Sequence, residues 1–193
     1  MKELVDKLYE EQTLSGEEFF RLLSERTKET EIYARELGNR VRKENYGNAV
    51  FIRGLIEFTN YCRNDCYYCG IRRSNKNAGK YRLSPEEILS CADEGYKLGF
   101  RTFVLQGGED GYFTKERMVN LIRTIKEKYA DCALTLSIGE KPFLEYQAYK
   151  EAGADRYLLR HETADEEHYR ILHPGELSLA NRKECLKNLK KLG

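Results

Sequence analysis

The stretch VFIRGLIEFTNYCRNDCYYCG, residues 50–70, joins an apolar run to three closely spaced cysteines. Residues 50–58 are rich in β-branched and aromatic side chains and form a run too short for a core helix, so they predict the first strand of a sheet. The cysteines that follow, Cys62, Cys66 and Cys69, have the spacing C-x3-C-x2-C. The stretch therefore predicts a strand that leads directly into a group of thiols.

Three further short apolar runs predict strands, at Arg101–Gln106, Ala133–Ile138 and Arg156–Arg160. Each is followed by a segment with helical spacing. Four strand–helix units in the same order indicate parallel strands with right-handed crossovers, and nearly continuous apolar strands indicate that both faces of the sheet are covered. The predicted fold class is α/β.

The helices between these strands carry their own start and stop signals. Ser84-Pro85-Glu86-Glu87 is a capping box with proline at the first helical position, and Gly99 closes that helix. Ser178 opens the last helix, which is expected to bury Leu179, Leu186 and Leu189. The core stripe of the helix after the second strand is predicted to be Met118, Leu121, Ile122 and Ile125.

The length of the chain limits how many units the sheet holds. A (βα)8 barrel takes about 250 residues, whereas this chain has 193. We therefore expect about half of a TIM-barrel-type fold, its first four βα units, truncated, over residues 49–193. An amino-terminal helical segment over residues 1–48 precedes it, with a capping box at Ser15–Glu18. A small open α/β sheet, complete in itself, is the alternative.

The charge balance restricts the class of partner. The chain has 33 Lys and Arg against 32 Asp and Glu, which argues against global attraction to nucleic acid or anionic membranes. No apolar run approaches the roughly 20 residues that a membrane-spanning helix needs. The first residues lack the layout of a secretory signal, so we expect a cytoplasmic protein whose six cysteines are reduced.

The cysteines lie in a connection of about 25 residues between Phe58 and Ser84, far longer than the ~2–6 residues typical of a βα loop. Such loops are usually functional. Structural zinc prefers four ligands, and the fourth would have to be Cys91 on the following helix. Three thiolates suit a four-iron cluster that keeps one iron open for another ligand. A zinc-binding or scaffold-cluster module without catalytic activity stays the alternative.

The motif C-x3-C-x-aromatic-C directly after the first strand of an α/β barrel resembles the signature of the radical S-adenosylmethionine (SAM) superfamily. The resemblance implies that Cys62, Cys66 and Cys69 hold a 4Fe-4S cluster. Its unique iron would chelate the amino and carboxylate groups of S-adenosylmethionine, with Tyr68 near the adenine. Basic residues of the loop would temper the negative charge of the cluster: Arg63, Arg72, Arg73, Lys76, Lys80 and Arg82.

A second motif of that family follows the second strand, where Gln106-Gly107-Gly108-Glu109 resembles the Gly-Gly-Glu motif that receives the methionyl amino group. Alone, a pair of glycines in a βα turn is a weak signal. Ser137 and Glu162 lie where the family contacts the ribose and the methionine, and Arg182 would neutralise the carboxylate. The implied cofactor-binding set is Tyr68, Gln106, Gly107, Gly108, Glu109, Glu162 and Arg182.

Residues 62–77, 104–110 and 153–163 resemble, within that superfamily, the iron-only hydrogenase maturases. The resemblance implies an enzyme that generates a 5′-deoxyadenosyl radical and helps build a two-iron subcluster from a small iron–cysteine complex. Its partners would be other hydrogenase maturases and an electron donor, and Ser137 and Arg160 would hold anionic groups of the substrate. The rival predictions are a biotin synthase-like or a methylornithine synthase-like radical enzyme.

The remaining histidines and cysteines are not expected to bind metal. A helical zinc pair needs histidines four apart, but His161 and His168 are seven apart. We expect His168 and His173 at the surface or at helix ends. The other cysteines are expected to be ordinary small apolar residues: Cys91, Cys132 and Cys185.

Overall fold

The computed structural model describes all residues, Met1 to Gly193. The chain divides into two units, Met1–Phe51 and Ile52–Gly193. No helix in it combines the length and apolarity needed to cross a membrane.

The first unit consists of three helices, namely α1 (Lys2–Glu11), α2 (Gly16–Ser24) and α3 (Lys28–Tyr46). The predicted capping box is present, because the Ser15 side chain accepts a hydrogen bond from the Glu18 backbone and the Glu18 carboxylate accepts one from the Ser15 backbone. The α3 helix ends at Gly47, whose positive φ of 59° suits glycine. Val5, Leu14 and Leu37 are buried in this unit.

The second unit contains a parallel sheet of four strands in the order β1-β2-β3-β4. The strands are β1 (Gly54–Thr59), β2 (Thr102–Gly107), β3 (Ala133–Ser137) and β4 (Arg156–Tyr157). Five helices belong to the same unit: α4 (Pro85–Lys97), α5 (Lys115–Lys128), α6 (Phe143–Glu151), α7 (Glu166–Leu172) and α8 (Leu179–Leu192). The prediction of parallel βα units is confirmed.

The core lies between the helices and one face of the sheet. Phe103, Leu105 and Leu136 on that face are at most 1% exposed. All four residues of the predicted α5 stripe are buried: Met118, Leu121, Ile122 and Ile125. In α8, Leu179 is buried as predicted, whereas Leu186 and Leu189 are only half-buried.

The expectation that both sheet faces are covered is wrong for β1, although Thr135 and Ser137 on the same face of β3 are buried. Leu55 and Glu57, which alternate with buried Ile56 and Phe58 in β1, are exposed. In a closed barrel the inner face is covered by the opposite strands, but four strands leave it open. This open inner face carries part of the candidate site.

Two predicted strands are shorter than their apolar runs. Val50, Phe51 and Ile52 are exposed and lie outside the sheet, since the pairing of β1 with β2 begins at Gly54 opposite Phe103. The last strand contains only two residues, although the Leu158 backbone still donates to the Leu136 carbonyl. The apolar composition of these runs predicted strands, but only the residues that pair with a neighbouring strand form β-structure.

Leu105→Ala is expected to lower the free energy of unfolding by about 2–5 kcal/mol, because it leaves a cavity in a fully buried site. Urea unfolding would measure the loss. Leu144→Ala, at a site 71% exposed, is the matched control and should stay within about 0.5 kcal/mol of the unchanged protein. Equal losses in the two variants would contradict the placement of the core.

Candidate functional site

The candidate site is a cavity of about 310 Å³ at the carboxyl ends of the four strands. Parallel strands bring these ends to one edge of the sheet, where barrel enzymes have their active sites. Twelve residues singled out in the sequence line this cavity: Cys62, Cys66, Tyr68, Cys69, Gln106, Gly107, Gly108, Glu109, Ser137, Arg160, Glu162 and Arg182. Cys91 is exposed on α4 and does not line it.

The cysteine loop, residues 60–84, is ordered by its own hydrogen bonds. The Cys69 backbone donates to the Cys66 carbonyl at 3.0 Å, and the Asp65 carboxylate accepts from the Ser74 backbone at 2.9 Å. The Tyr67 backbone donates to the carbonyl of Leu172 at the end of α7. The loop is therefore held in shape by the polypeptide itself.

The three thiols of this loop are free and half-buried. Burial, then the neighbouring Cys62 and Cys69, raise the pKa of Cys66 to about 11, so this thiol is protonated at neutral pH. No three His, Cys, Asp or Glu side chains converge on a geometry that would hold a single metal ion. In a four-iron cluster each thiolate binds a different iron, so its ligands need not converge on one point.

Gly107, the last residue of β2, and Gly108, the residue after it, lie so close to Thr59 and the cysteine loop that neither position has room for a side chain. A Cβ at Gly108 would lie 2.2 Å from the Tyr61 carbonyl oxygen and 2.8 Å from the Cys62 Cβ. A Cβ at Gly107 would lie 2.7 Å from the Thr59 side chain. The close approach that these glycines permit is between two segments of the chain.

The two carboxylates after these glycines bind arginines of the cysteine loop. Glu109 accepts from Arg63 at 3.0 and 2.8 Å, and its other oxygen accepts from the Glu140 backbone. Asp110 accepts from Arg82 at 2.6 and 2.9 Å. The charges of these two arginines, expected to temper a cluster, are thus paired within the protein.

Arg182 is buried beneath the cavity and pairs with Glu140. One nitrogen also donates to the Arg160 carbonyl at 2.6 Å. Burial opposes the charge on Arg182, but Glu140 outweighs burial and raises its pKa. Glu140 was not identified from the sequence; its position just past β3, at the carboxyl end of a strand, was the available signal.

An aromatic stack supports Tyr68. Its hydroxyl lies 3.3 Å from Nε2 of His173, and the His173 ring stacks on Tyr169 with centroids 3.9 Å apart. His173 caps the end of α7, which confirms the expectation of a surface or helix-end residue, and it is only 2% exposed. The Tyr169 hydroxyl is buried and has no hydrogen-bond partner.

The other sequence-predicted residues have distinct settings. Glu162 is exposed and has a positive φ of 64°, an uncommon conformation for a residue other than glycine that often marks functional sites. Gln106 donates to the Glu57 carboxylate at 2.9 Å on the inner sheet face. Of the three remaining cysteines, Cys132 and Cys185 are buried as expected, whereas Cys91 is exposed.

Comparisons with known proteins agree with this geometry. A family model described as the Radical SAM superfamily matches residues 56–193. The chain belongs to the radical SAM superfamily. Within this superfamily the chain is similar to the [FeFe] hydrogenase maturase subunit HydE of Thermotoga maritima, with 47% identity over 82% of this chain and 44% of that protein. Membership in this superfamily and the likeness to HydE indicate an enzyme.

Other radical SAM proteins share the fold. The 3-methylornithine synthase of Methanosarcina acetivorans is 31% identical over 89% of this chain and 49% of that protein. A crystal structure of methylornithine synthase (PylB) matches with a TM-score of 0.83 and 31% identity over 98% of this chain and 56% of that one. The hydrogenase maturase HydG shares the fold, with a TM-score of 0.87 and 23% identity over 99% of this chain and 44% of that one.

These comparisons confirm the predicted family and the partial α/β barrel. The chain spans about half the length of the curated relatives it matches.

Gly108→Ala is expected to displace the cysteine loop, because the new Cβ would overlap the Tyr61 carbonyl, a backbone atom that cannot rotate away. Urea unfolding should show a loss of about 1–3 kcal/mol, the usual range for overpacking. Gly111→Ala is the matched control, since no atom lies within 4 Å of its Cβ position. A Gly108→Ala variant as stable as the control would contradict the close approach.

The contribution of Asp110 to stability is expected to depend on pH. Burial disfavours its charge, but hydrogen bonds from Arg82 and Thr59 outweigh burial and lower its pKa below the ordinary 3.8. Asp110 contributes fully to the free energy of unfolding at pH values above 3.8, the pKa of an aspartate in the unfolded chain. The contribution is lost as the pH falls through the lower pKa of the folded protein. Urea unfolding should therefore show the unchanged protein more stable than Asp110→Asn at pH 7, with the difference shrinking below about pH 4.

Proposed function

We propose that this chain provides the cluster- and cofactor-binding part of a radical SAM enzyme that matures the iron-only hydrogenase. The observation that carries the proposal is the convergence of Cys62, Cys66 and Cys69 with the ends of β2, β3 and β4 on one cavity. In this proposal the barrel part comprises residues 49–193, and residues 1–48 form a separate helical segment.

The donor set fits a 4Fe-4S cluster with one open iron. Three thiols suit iron–sulfur assembly, and all six cysteines are free. The Tyr169 hydroxyl is buried without a hydrogen-bond partner, and the Tyr169 ring stacks on His173, which contacts Tyr68 of the site. A reducing cytoplasm would keep the thiols available.

The cofactor would lie along the strand ends. A 4Fe-4S cluster held by Cys62, Cys66 and Cys69 would, when bound and reduced, supply the electron for cleavage of S-adenosylmethionine to methionine and a 5′-deoxyadenosyl radical. Tyr68, whose ring is nearly perpendicular to that of His173, would contact the adenine, and Glu162 would contact the ribose and methionine region. Arg182 would face the methionine carboxylate through the guanidinium donors that Glu140 and Arg160 leave free.

Glu109, with the backbone of Gln106, Gly107 and Gly108, is proposed to receive the methionyl amino group. An ionised carboxylate offers about four acceptor positions. Arg63 and the Glu140 backbone occupy three of them, which leaves capacity for one further donor. Glu109 would then serve both the loop and the cofactor.

The substrate is proposed to be a small iron–cysteine complex held by Ser137 and Arg160. The 47% identity to HydE supports this choice. Other hydrogenase maturases and an electron donor are the proposed partners. The rival is a methylornithine synthase-like reaction, supported by the 31% identity and the TM-score of 0.83 to PylB.

Iron and sulfide analysis after anaerobic reconstitution tests the cluster ligands. Cys62→Ala, Cys66→Ala and Cys69→Ala are each expected to lose bound iron, because three thiolates are the minimum set for this cluster. Cys91→Ala is the control, and it should bind iron like the unchanged protein, since Cys91 lies outside the cavity. Zinc binding that depends on Cys91 would overturn the proposal in favour of a metal-binding module.

Electron paramagnetic resonance of the reduced, reconstituted chain tests the cofactor site. We expect a four-iron signal that changes when S-adenosylmethionine is added, because the open iron and its neighbours are all on this chain. Arg182→Lys should weaken this response, since lysine cannot reproduce the forked contacts to Glu140 and the Arg160 carbonyl. A signal indifferent to the cofactor in the unchanged protein would overturn the assignment of the cofactor residues.

A further inference from the structure

Both ends of the cysteine loop bind to one carboxylate, that of Asp110. Its side chain is 3% exposed. It accepts from Thr59 Oγ1 at 2.7 Å, where the loop begins, and from both Nε and Nη2 of Arg82, where the loop ends. The Tyr112 backbone donates to the same carboxylate at 3.0 Å. Asp110 thus closes a loop of more than twenty residues.

Arg82 also contacts Tyr61, the residue that precedes the first cysteine of the loop. The Arg82 guanidinium lies over the Tyr61 ring, 3.7 Å from its centroid, and Tyr61 directly precedes Cys62. The Tyr61 carbonyl and the Cys62 Cβ are also pressed against Gly108. Cys62 therefore follows a segment fixed on one side by a stacked arginine and on the other by the turn after β2.

The other two cysteines are held differently. The backbone between Cys66 and Cys69 is tied to the end of α7 through Tyr67 and Leu172. None of the hydrogen bonds of the Asp110 side chain reaches that part of the loop. Loss of the Asp110 contacts should therefore loosen the loop near Cys62 first.

We propose that Asp110 and Arg82 are positioning residues that set the place of Cys62 before any cluster binds. This inference rests on the proposed function, because it concerns one of the proposed cluster ligands. Closing a long flexible loop costs conformational entropy. The forked ion pair between Arg82 and Asp110 has a defined geometry and holds the two ends of the loop together before a cluster binds. Neither residue is a proposed ligand of the cluster or the cofactor.

Hydrogen–deuterium exchange of the cluster-free chain tests the proposal without reference to activity. Asp110→Asn keeps the shape and an acceptor oxygen but removes the charge. It should raise amide exchange around residues 60–64 by about tenfold or more, since removing one partner of a buried pair is strongly destabilising. Exchange in β2 and β3 should rise less than exchange at residues 60–64, and by no more than the loss of global stability accounts for.

Asp93→Asn is the matched control. Asp93 pairs with Lys128 and Tyr129 between α4 and α5, away from the loop. Asp93→Asn removes a carboxylate from a more exposed ion pair of the same unit, so it should leave exchange at residues 60–64 as in the unchanged protein. Equal exchange at residues 60–64 in the two variants, or a rise in β2 and β3 as large as that at residues 60–64 in Asp110→Asn, would overturn the positioning role.

Further variants separate the charge from the stacking. Tyr61→Leu removes the stacked ring but keeps the ion pair, and it should raise exchange near Cys62 while leaving Thr59 protected. Arg82→Lys keeps the charge without the fork and should show faster exchange than the unchanged protein but slower exchange than Arg82→Met. Identical exchange in the lysine and methionine variants would overturn the role of the charge.

Iron release from the reconstituted chain distinguishes this inference from the proposed function. Asp110→Asn should still take up a four-iron cluster but lose iron to a chelator faster than Asp93→Asn. Failure of the unchanged chain to bind iron would overturn the proposed function and, with it, the reason for positioning Cys62. Normal iron uptake with unaltered exchange and release in Asp110→Asn would overturn only the positioning role.

Discussion

The parallel pairing of β1, β2 and β3 is the constraint on which the candidate site depends. Because the strands run in the same direction, the segments that follow them leave the sheet at one edge. The pairing places Thr59 of β1 opposite Gly107 of β2. The cysteine loop and the Gly-Gly turn are therefore neighbours before any side chain contributes.

Charge compensation then fixes these segments to one another. Three carboxylates at the strand ends each bind an arginine from elsewhere in the chain: Glu109 binds Arg63, Asp110 binds Arg82, and Glu140 binds Arg182. A buried carboxylate without such a partner would be costly. Two of these pairs hold the cysteine loop and the third holds α8, so the site is assembled by electrostatics as well as by packing.

The open inner face of the sheet relates this architecture to the proposed chemistry. The inner face is exposed at Leu55 and Glu57 of β1 and buried at Ser137 of β3, and Glu57, Gln106 and Ser137 line the cavity. The solved relatives share this fold over nearly all of the chain. The residues proposed to hold a cluster and its cofactor lie at the strand ends, and a substrate is proposed to lie deeper, along the inner face.

Much of the fold could be predicted from the sequence because its signals are local. The capping boxes at Ser15 and Ser84 form as predicted, since each joins residues three apart in the chain. The α5 stripe is buried as predicted because one helix face is fixed by periodicity. The apolar residues Val50–Ile52 were misassigned to a strand because composition does not show whether a partner strand lies alongside.

For the site, the spacing of Cys62, Cys66 and Cys69 and the Gly-Gly-Glu motif were evident from the sequence alone. Their partners were not, because Arg63 and Glu109 are 46 residues apart, and Tyr68 and His173 are 105 apart. The tertiary structure alone showed that the glycines make room for the cysteine loop and that His173 is buried. Short-range patterns indicate which elements form and which residues are candidates for the site, whereas contacts between distant segments depend on how the strands pair.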